Sequence, residues 1–335
     1  MITLPLRQSL LGIAFRFAAP ESIQFSHWDR FAPYPTLCSL TKNLLVSFLA
    51  FTYFLGILSS CVLDVNFPCF SICFSISSSI KLLYDMKIVR FAVGNNIGYG
   101  ILDGMTIQCL LHEPYRELAL ADYSYNITDV RLLAPCTPSK IIALGLNYQP
   151  HADEMNQSLP KNPLIFLKPP TSVIGPEDNI VYPPTSNQVD YEGELAVIIK
   201  KPTWAVAEES AFEHIFGYTC FNDVTARDIQ RLDQQWTRAK SFNTFAAVGP
   251  CIETDLDPHK LVIRTYLNGI LKQKASTSEL IFSIPELIHF ISHVMTLLPG
   301  DIITTGTPSG VGPMYQGDTI EVTIDEIGSL RNFII

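Results

Sequence analysis

Within the stretch DYEGELAVIIKK (190–201), two glutamates, Glu192 and Glu194, stand two residues apart at the start of an apolar run. In an extended strand alternate side chains share a face, so Glu192, Glu194, Ala196 and Ile198 point one way. The two acids then sit roughly 6–7 Å apart. Tyr191, Leu195, Val197 and Ile199 take the other face, which is also apolar, the pattern of a strand buried on both sides. A buried carboxylate without a partner is costly, and two are worse. Either the first residues of the strand emerge into water, or a cation sits between the acids.

Other candidates carry weaker signals. In HADE, His151 has a carboxylate three residues on at Glu154, which can hold the imidazole in one tautomer as a general base. The segment is polar throughout, and by itself it reads more readily as a surface loop. His289 and His293 have the i, i+4 spacing of zinc ligands, but helical geometry puts both opposite an apolar face. The glutamate of an H-E-x-x-H motif is also missing, so they read as solvated surface residues. The glycine loop near 306–312 lacks the Gly-Lys-Ser/Thr ending of a phosphate loop. Cys109, Cys136, Cys220 and Cys251 are scattered in apolar surroundings with no C-x-x-C spacing, as buried reduced thiols would be. Four more cysteines, at 38, 61, 69 and 73, fall in the first 85 residues.

These residues need a scaffold. KIVRFAV, IGYGILD and MTIQCLL are short β-prone runs separated by GNN and by Asp103-Gly104, a hairpin signal, so residues 86–135 read as a small β unit. A larger domain begins near 137. Residues 205–216 are helix-prone, and GYTCFNDV (217–224) is a strand ending in polar residues. Thr225 and Asp228 have the spacing of a capping box for a helix toward Trp236. Ser283 and Glu286 cap a second helix with Pro285 in its first turn. Its apolar face runs from Ile284 to Leu298 until Pro299-Gly300 stops it. Many strands and few helices make this an α+β, β-rich chain.

The chain has 335 residues, 32 acidic against 23 basic, for a formal net charge of −9. The first 85 residues are nearly balanced, so the acidity belongs to the remainder, which argues against a nucleic acid partner. Residues 1–85 form a hydrophobic extension. LLVSFLAFTYFLGILSSCVL (44–63) carries no charge and is long enough to span a bilayer. The text changes abruptly at Met86. Three readings fit this break: a start codon placed too early, a signal-anchor, or an extra structural element. The first is favoured, and it predicts that residues 86–335 are soluble and active alone. A cytoplasmic location follows from it, and a membrane enters only if 44–63 is retained.

Seven stretches, in order and spacing, resemble the fumarylacetoacetate hydrolase family in its short acylpyruvase-like and isomerase-like branch. They are ALGLNYQPHADE, PLIFLKPPTSVIGP, DYEGELAVII, GYTCFNDVTARDIQ, WTRAKSFNTFAAVGP, FSIPELIHFIS and TTGTPSGVGP. The resemblance covers residues 137–335 as a catalytic domain, a mixed β-sandwich or roll, and 86–135 as a small amino-terminal domain. It implies that Glu192, Glu194 and Asp223 bind a divalent metal. Three carboxylates with water suit Mg²⁺ or Mn²⁺ rather than zinc. Removing one acid would then relieve repulsion in the metal-free protein.

The same resemblance makes His151 and Glu154 a general-base dyad on a short mobile lid, with Lys240 pairing substrate charge or a developing oxyanion. Arg227, Gln230 and Thr307 fall on substrate-holding positions, though a salt bridge within its helix is an equal reading for Arg227. Lys168, in FLKP, is as readily structural. Leu146 stands where some members have arginine, which weakens any claim to their substrate, and Gln149-Pro150 would stiffen the lid. The implied activity is metal-dependent C–C hydrolysis of a 2,4-dioxo acid of acylpyruvate type, with His151 activating water and a pyruvate enolate leaving. It is favoured because the His–Glu pair is intact. Isomerisation or decarboxylation of 2-oxo dioates, oxaloacetate included, is the alternative. A membrane-anchored binding protein is a remote third. The implied partners are a small 2-oxo acid and a second copy in a homodimer.

Overall fold

The computed structural model describes residues 86–335. The readings made on 1–85, including segment 44–63 and its cysteines, lie outside the described residues. Among those described, no helix is long and apolar enough to cross a membrane.

The chain begins with β1 (Lys87–Val93), β2 (Asn96–Asp103) and β3 (Thr106–Leu110), then β4 (Leu120–Asn126) and β5 (Arg131–Leu133). Gly94 and Gly104 make the first two turns at positive φ, and Asp103 pairs with Thr106 across the second, as the Asp-Gly signal predicts. Next come β6 (Ile141–Gly145), α1 (Gln149–Glu154), β7 (Leu164–Lys168), β8 (Val173–Ile174) and β9 (Asn179–Ile180). They are followed by β10 (Val189–Tyr191), β11 (Gly193–Ile199), β12 (Ile215–Asp223) and β13 (Thr225–Ala226). Two short helices, α2 (Arg227–Asp233) and α3 (Thr237–Lys240), precede β14 (Ala246–Glu253), β15 (Val262–Leu267) and β16 (Ile270–Ser276). The chain closes with α4 (Ile284–Val294), β17 (Ile302–Thr304), β18 (Gly312–Met314), β19 (Thr319–Ile324) and β20 (Gly328–Ile334).

The strands form three sheets. The largest runs β4-β3-β2-β1-β14-β12-β11-β17-β6-β7, with β5 beside β1 and β8 beside β14. Through β1 and β14 the amino-terminal unit shares this sheet with the rest of the described chain. Because β8 follows β7 closely yet pairs with β14, the sheet curls into a roll. A second sheet, β16-β15-β19-β20-β9, packs on it. Leu195 and Val197 of β11 and Cys220 of β12 meet Ile263, Val322 and Ile324 in one core cluster. Leu287, Ile288 and Ile291 of α4 join that cluster, and each fully buried side chain of this size contributes about 1.5–3 kcal/mol. The third sheet, β13-β10-β18, is small and packs with Ile229 of α2 and Ala239 of α3. All four described cysteines are free and buried, as expected.

Four local expectations change. Residues 190–199 are two strands in two sheets, with the break at Glu192. Residues Glu208–His214 are a 3₁₀ stretch instead of an α-helix. Its lead-in is pinned to α4, where Ser292 accepts from the N–H groups of Ala205 and Val206. The Thr225/Asp228 capping box does not form. Thr225 donates to Glu192 and to the Asp223 carbonyl, while Asp228 holds Ser186 and the Asn187 N–H. The Ser283–Glu286 box does form, but α4 stops at Val294. Reciprocal bonds between Thr203 and Leu297 pull the following residues into extended chain, leaving Val294 and Leu298 exposed.

Candidate active site

Antiparallel pairing sets the site. β11 starts where β12 ends, with Gly193 opposite Asn222, and the Asp223 N–H donates to the Glu192 carbonyl at 2.8 Å. Glu192, Glu194 and Asp223 are thereby brought to one place, each offering a carboxylate oxygen within 4.8 Å of the others. The two glutamates flank Gly193 at the break between β10 and β11. Gly193 is needed between them, because a β-carbon there would strike Thr265 Oγ1. Its backbone is held from both sides: Gln273 Oε1 accepts its N–H, and Thr307 Oγ1 donates to its carbonyl at 3.0 Å.

All three acids are buried, and so are the cations around them. Lys240 Nζ bridges Glu192 Oε2 and Asp223 Oδ2, at 2.7 Å each. Lys168 Nζ donates to the other Asp223 oxygen at 2.5 Å. Arg227 donates from Nε to Asp190 at 2.8 Å, pairs through a second nitrogen with Glu192, and bonds Gln230 at 2.6 Å. Burial alone would raise the Glu192 carboxyl, but Lys240 and Arg227 hold it well below the usual carboxylate range. Burial pushes Glu194 well above that range, and the neighbouring Asp223 and Glu192 add to it. Burial lowers the Lys168 ammonium against the opposing pull of Asp223. In Lys240 the same burial is outweighed by Asp223 and Glu192, and its pKa rises.

Glu194 is the acid left short. Its Oε2 accepts from the Gly306 N–H at 2.8 Å and the Thr304 hydroxyl lies close by, yet its buried Oε1 has no well-formed hydrogen bond among the described residues. An orphaned acceptor in a three-carboxylate pocket fits a hard divalent cation, and the donor set is all oxygen.

α1 brings the second group. His151 is buried, and its Nδ1 lies 3.1 Å from Glu154 Oε2. A carboxylate only accepts, so in the neutral ring Nδ1 carries the proton and Nε2 keeps its lone pair. The Gly310 N–H donates to both Glu154 oxygens, tying the helix to the 304–313 loop. His151, Glu192, Arg227, Gln230, Lys240 and Thr307 all line one cavity of about 160 Å³. Among the candidate site residues, Thr307 spends its hydroxyl on the scaffold, between Gln273 and the Gly193 carbonyl. Leu146 lines the same cavity at positive φ, 54°. His289 and His293 lie outside it, exposed, with their rings 4.5 Å apart and tilted by 52°.

Several further residues shape the site. Asp190 continues the alternation of Glu192 and Glu194 two residues earlier, so a signal existed, yet it serves Arg227. Lys168, for which the sequence allows a structural role equally, is in the cluster through Asp223. Asn147 had no signal beyond its polarity. It donates to the carbonyls of Thr305 and Phe282 and accepts the Phe282 N–H, locking the loop after β6 to the loop after β17. Trp236 also lines the cavity, edge-on to Phe166 at 5.1 Å, and a β-carbon at Gly145 would meet its ring at 2.5 Å.

Residues 140–335 match the family described as fumarylacetoacetate (FAA) hydrolase, C-terminal. The chain belongs to the fumarylacetoacetate hydrolase family. Residues 86–135 match the description Rv2993c-like, N-terminal. The chain is 44% identical over 230 residues to oxaloacetate tautomerase YisK of Bacillus subtilis, covering 64% of this chain and 76% of that protein. It is 42% identical to the crystal structure of a 2-hydroxyhepta-2,4-diene-1,7-dioate isomerase from Mycobacterium marinum, with TM-score 0.70 over 75% of this chain and 98% of that one. A maleylpyruvate hydrolase from Sphingobium sp. SYK-6, in complex with manganese(II) and pyruvate, is 33% identical. Its TM-score is 0.63, over 75% of this chain and 99% of that chain. The family thus joins a tautomerase, an isomerase and a hydrolase, and an enzymatic role for this chain follows at that level.

Proposed function

We propose that this chain is a divalent-metal-dependent acid–base catalyst acting on a compact 2-oxo acid that carries a second carboxylate or carbonyl. It moves a proton at the carbon beside the ketone, giving tautomerisation or isomerisation of oxaloacetate-type substrates. One observation carries the reading: His151, paired with Glu154 through Nδ1, lines the same small cavity as Glu192, whose carboxylate converges with those of Glu194 and Asp223 just behind it. When bound, Mg²⁺ or Mn²⁺ would supply Lewis-acid stabilisation of negative charge on the carboxylate and 2-oxo oxygens.

The chain's own residues do the rest. His151 Nε2 takes the proton and returns it, while Glu154 stabilises the imidazolium. Lys240 offers positive charge where oxyanion character develops. Its ammonium lies 5.1 Å over the Phe166 ring, and the Phe166–Trp236 pair shields that side from water. At about 160 Å³ the cavity is smaller than the ~300–1,000 Å³ of drug-sized ligand sites, which favours a short substrate.

Hydrolysis of a 2,4-dioxo acid is the second reading. The intact His151–Glu154 pair favours it, since the same base can activate water. It ranks second because the solved hydrolases are less similar to this chain, 33–36% against 42–44% identical for the isomerase and the tautomerase. An assay of oxaloacetate and an acylpyruvate with Mg²⁺ or Mn²⁺, reading enol absorbance, pyruvate and CO₂ separately, decides. Enol–keto exchange should dominate, and His151→Ala should slow it about 10²–10⁴-fold, the range for a lost general base. Any decarboxylation, which needs no base, should fall much less. Pyruvate release from the acylpyruvate outpacing exchange would install the hydrolase instead.

A further inference from the structure

The proposed function leaves one cation of the cavity unassigned. Four positively charged or chargeable side chains line it: His151, Arg227, Lys240 and Arg231. The first three are committed to carboxylates of the chain itself, at Glu154, at Asp190 and Glu192, and at Glu192 and Asp223. Among the described residues Arg231 has no carboxylate partner. Its hydrogen bond goes to a neutral group, Gln188 Oε1, at 3.2 Å.

Arg231 stands four residues after Arg227 on α2, so both project from one side of the helix. Arg227 is buried against the carboxylates, whereas Arg231 is exposed and reaches the cavity from its rim. The two are joined by a relay, for Gln188 also donates to both oxygens of Asp190, at 3.0 and 3.3 Å. That leaves the Arg231 guanidinium oriented yet electrically unspent.

Charge balance says what it awaits. The buried cluster holds four acids (Asp190, Glu192, Glu194, Asp223) against three bases (Lys168, Arg227, Lys240). A divalent cation turns this excess into one positive charge, which the carboxylate of a 2-oxo acid neutralises. A second carboxylate on the substrate then needs a further cation, and a guanidinium is the group best shaped to bind it.

We infer that Arg231 binds the distal carboxylate of the substrate and selects 2-oxo dicarboxylates over 2-oxo monocarboxylates. This rests on the proposed 2-oxo acid site and narrows its substrate class.

The test uses the full chain loaded with Mn²⁺ and a pair of ligands matched in length, 2-oxoglutarate and 2-oxopentanoate, measured by calorimetry. The parent protein should prefer the dicarboxylate. Arg231→Gln should weaken the dicarboxylate about 10- to 100-fold, the usual loss for a charged hydrogen-bonded pair, and leave the monocarboxylate within about 2-fold. Arg231→Glu should weaken the dicarboxylate further, and Arg231→Lys should fall between. With oxaloacetate the loss should appear in KM more than in kcat, because the reacting carbon lies at the other end. Equal weakening of both ligands, or of neither, in Arg231→Gln overturns the inference while the 2-oxo acid site stands. A parent protein whose melting temperature rises with Mn²⁺ but which binds neither ligand removes the 2-oxo acid reading and this inference together.

Discussion

The short strand β17 has a buried carboxylate at each end, and the two have opposite characters. Before it, Asp301 accepts from the Ser139 N–H and hydroxyl, the Lys140 N–H and the Leu298 N–H, and its Oδ2 lies 2.5 Å from Lys140 Nζ. One acid meets one lysine, and both its oxygens are satisfied. After it, the Gly306 N–H donates to Glu194, in a cluster with Glu192 and Asp223, and one Glu194 oxygen has no well-formed hydrogen bond among the described residues. Both acids are fully buried, so burial does not tell them apart. Unused acceptor capacity and surplus negative charge do. The first end staples β17 to the start of β6. The second keeps acceptor capacity beyond what Lys168, Arg227 and Lys240 use, which fits a divalent cation.

The largest break of this contrast should come at Asp223, which sits in the cluster yet also neutralises two buried lysines. Asp223→Ala should end metal-dependent turnover and cost the metal-free protein about 3–5 kcal/mol, because Lys168 and Lys240 lose a partner without access to water. This runs against the sequence-based expectation that losing an acid relieves repulsion, because Asp223 is ion-paired to both lysines. Chemical denaturation with and without Mn²⁺ checks both halves, and parental stability would mean the lysines are not held charged against it.

Asp301→Asn should be milder and purely structural. A loss of about 2–4 kcal/mol is expected, since the Lys140 it strands is partly exposed. Activity per folded molecule and the Mn²⁺-induced rise in melting temperature should persist. A variant that loses its Mn²⁺ response would erase the distinction between the two ends of β17.

The smallest effect on stability is expected at Glu194. Glu194→Gln removes a carboxylate with no ion pair, so the metal-free protein should gain up to about 1 kcal/mol while its response to Mn²⁺ disappears. Here alone the expected relief of repulsion applies. Thermal melts across a Mn²⁺ titration would show it, and a destabilised variant would place Glu194 with the structural acids.

What the sequence determined by itself was local. Alternation put Glu192 and Glu194 on one face, Asp103-Gly104 specified a hairpin, and Ser283–Glu286 specified the start of α4. Each is a contact between near neighbours, for which side-chain period and turn chemistry suffice. The resemblance added the residues of the dyad and of the cluster by position. Only the tertiary structure decided that the chain breaks at Glu192 between two sheets. It also decided that Lys168 reaches Asp223, that Gln273 holds Gly193, and that Asn147 joins loops more than a hundred residues apart. A strand's period fixes which face a side chain takes. It says nothing of which sheet, or which distant cation, that face will meet, because register between sheets is settled by packing and by pairing buried charge.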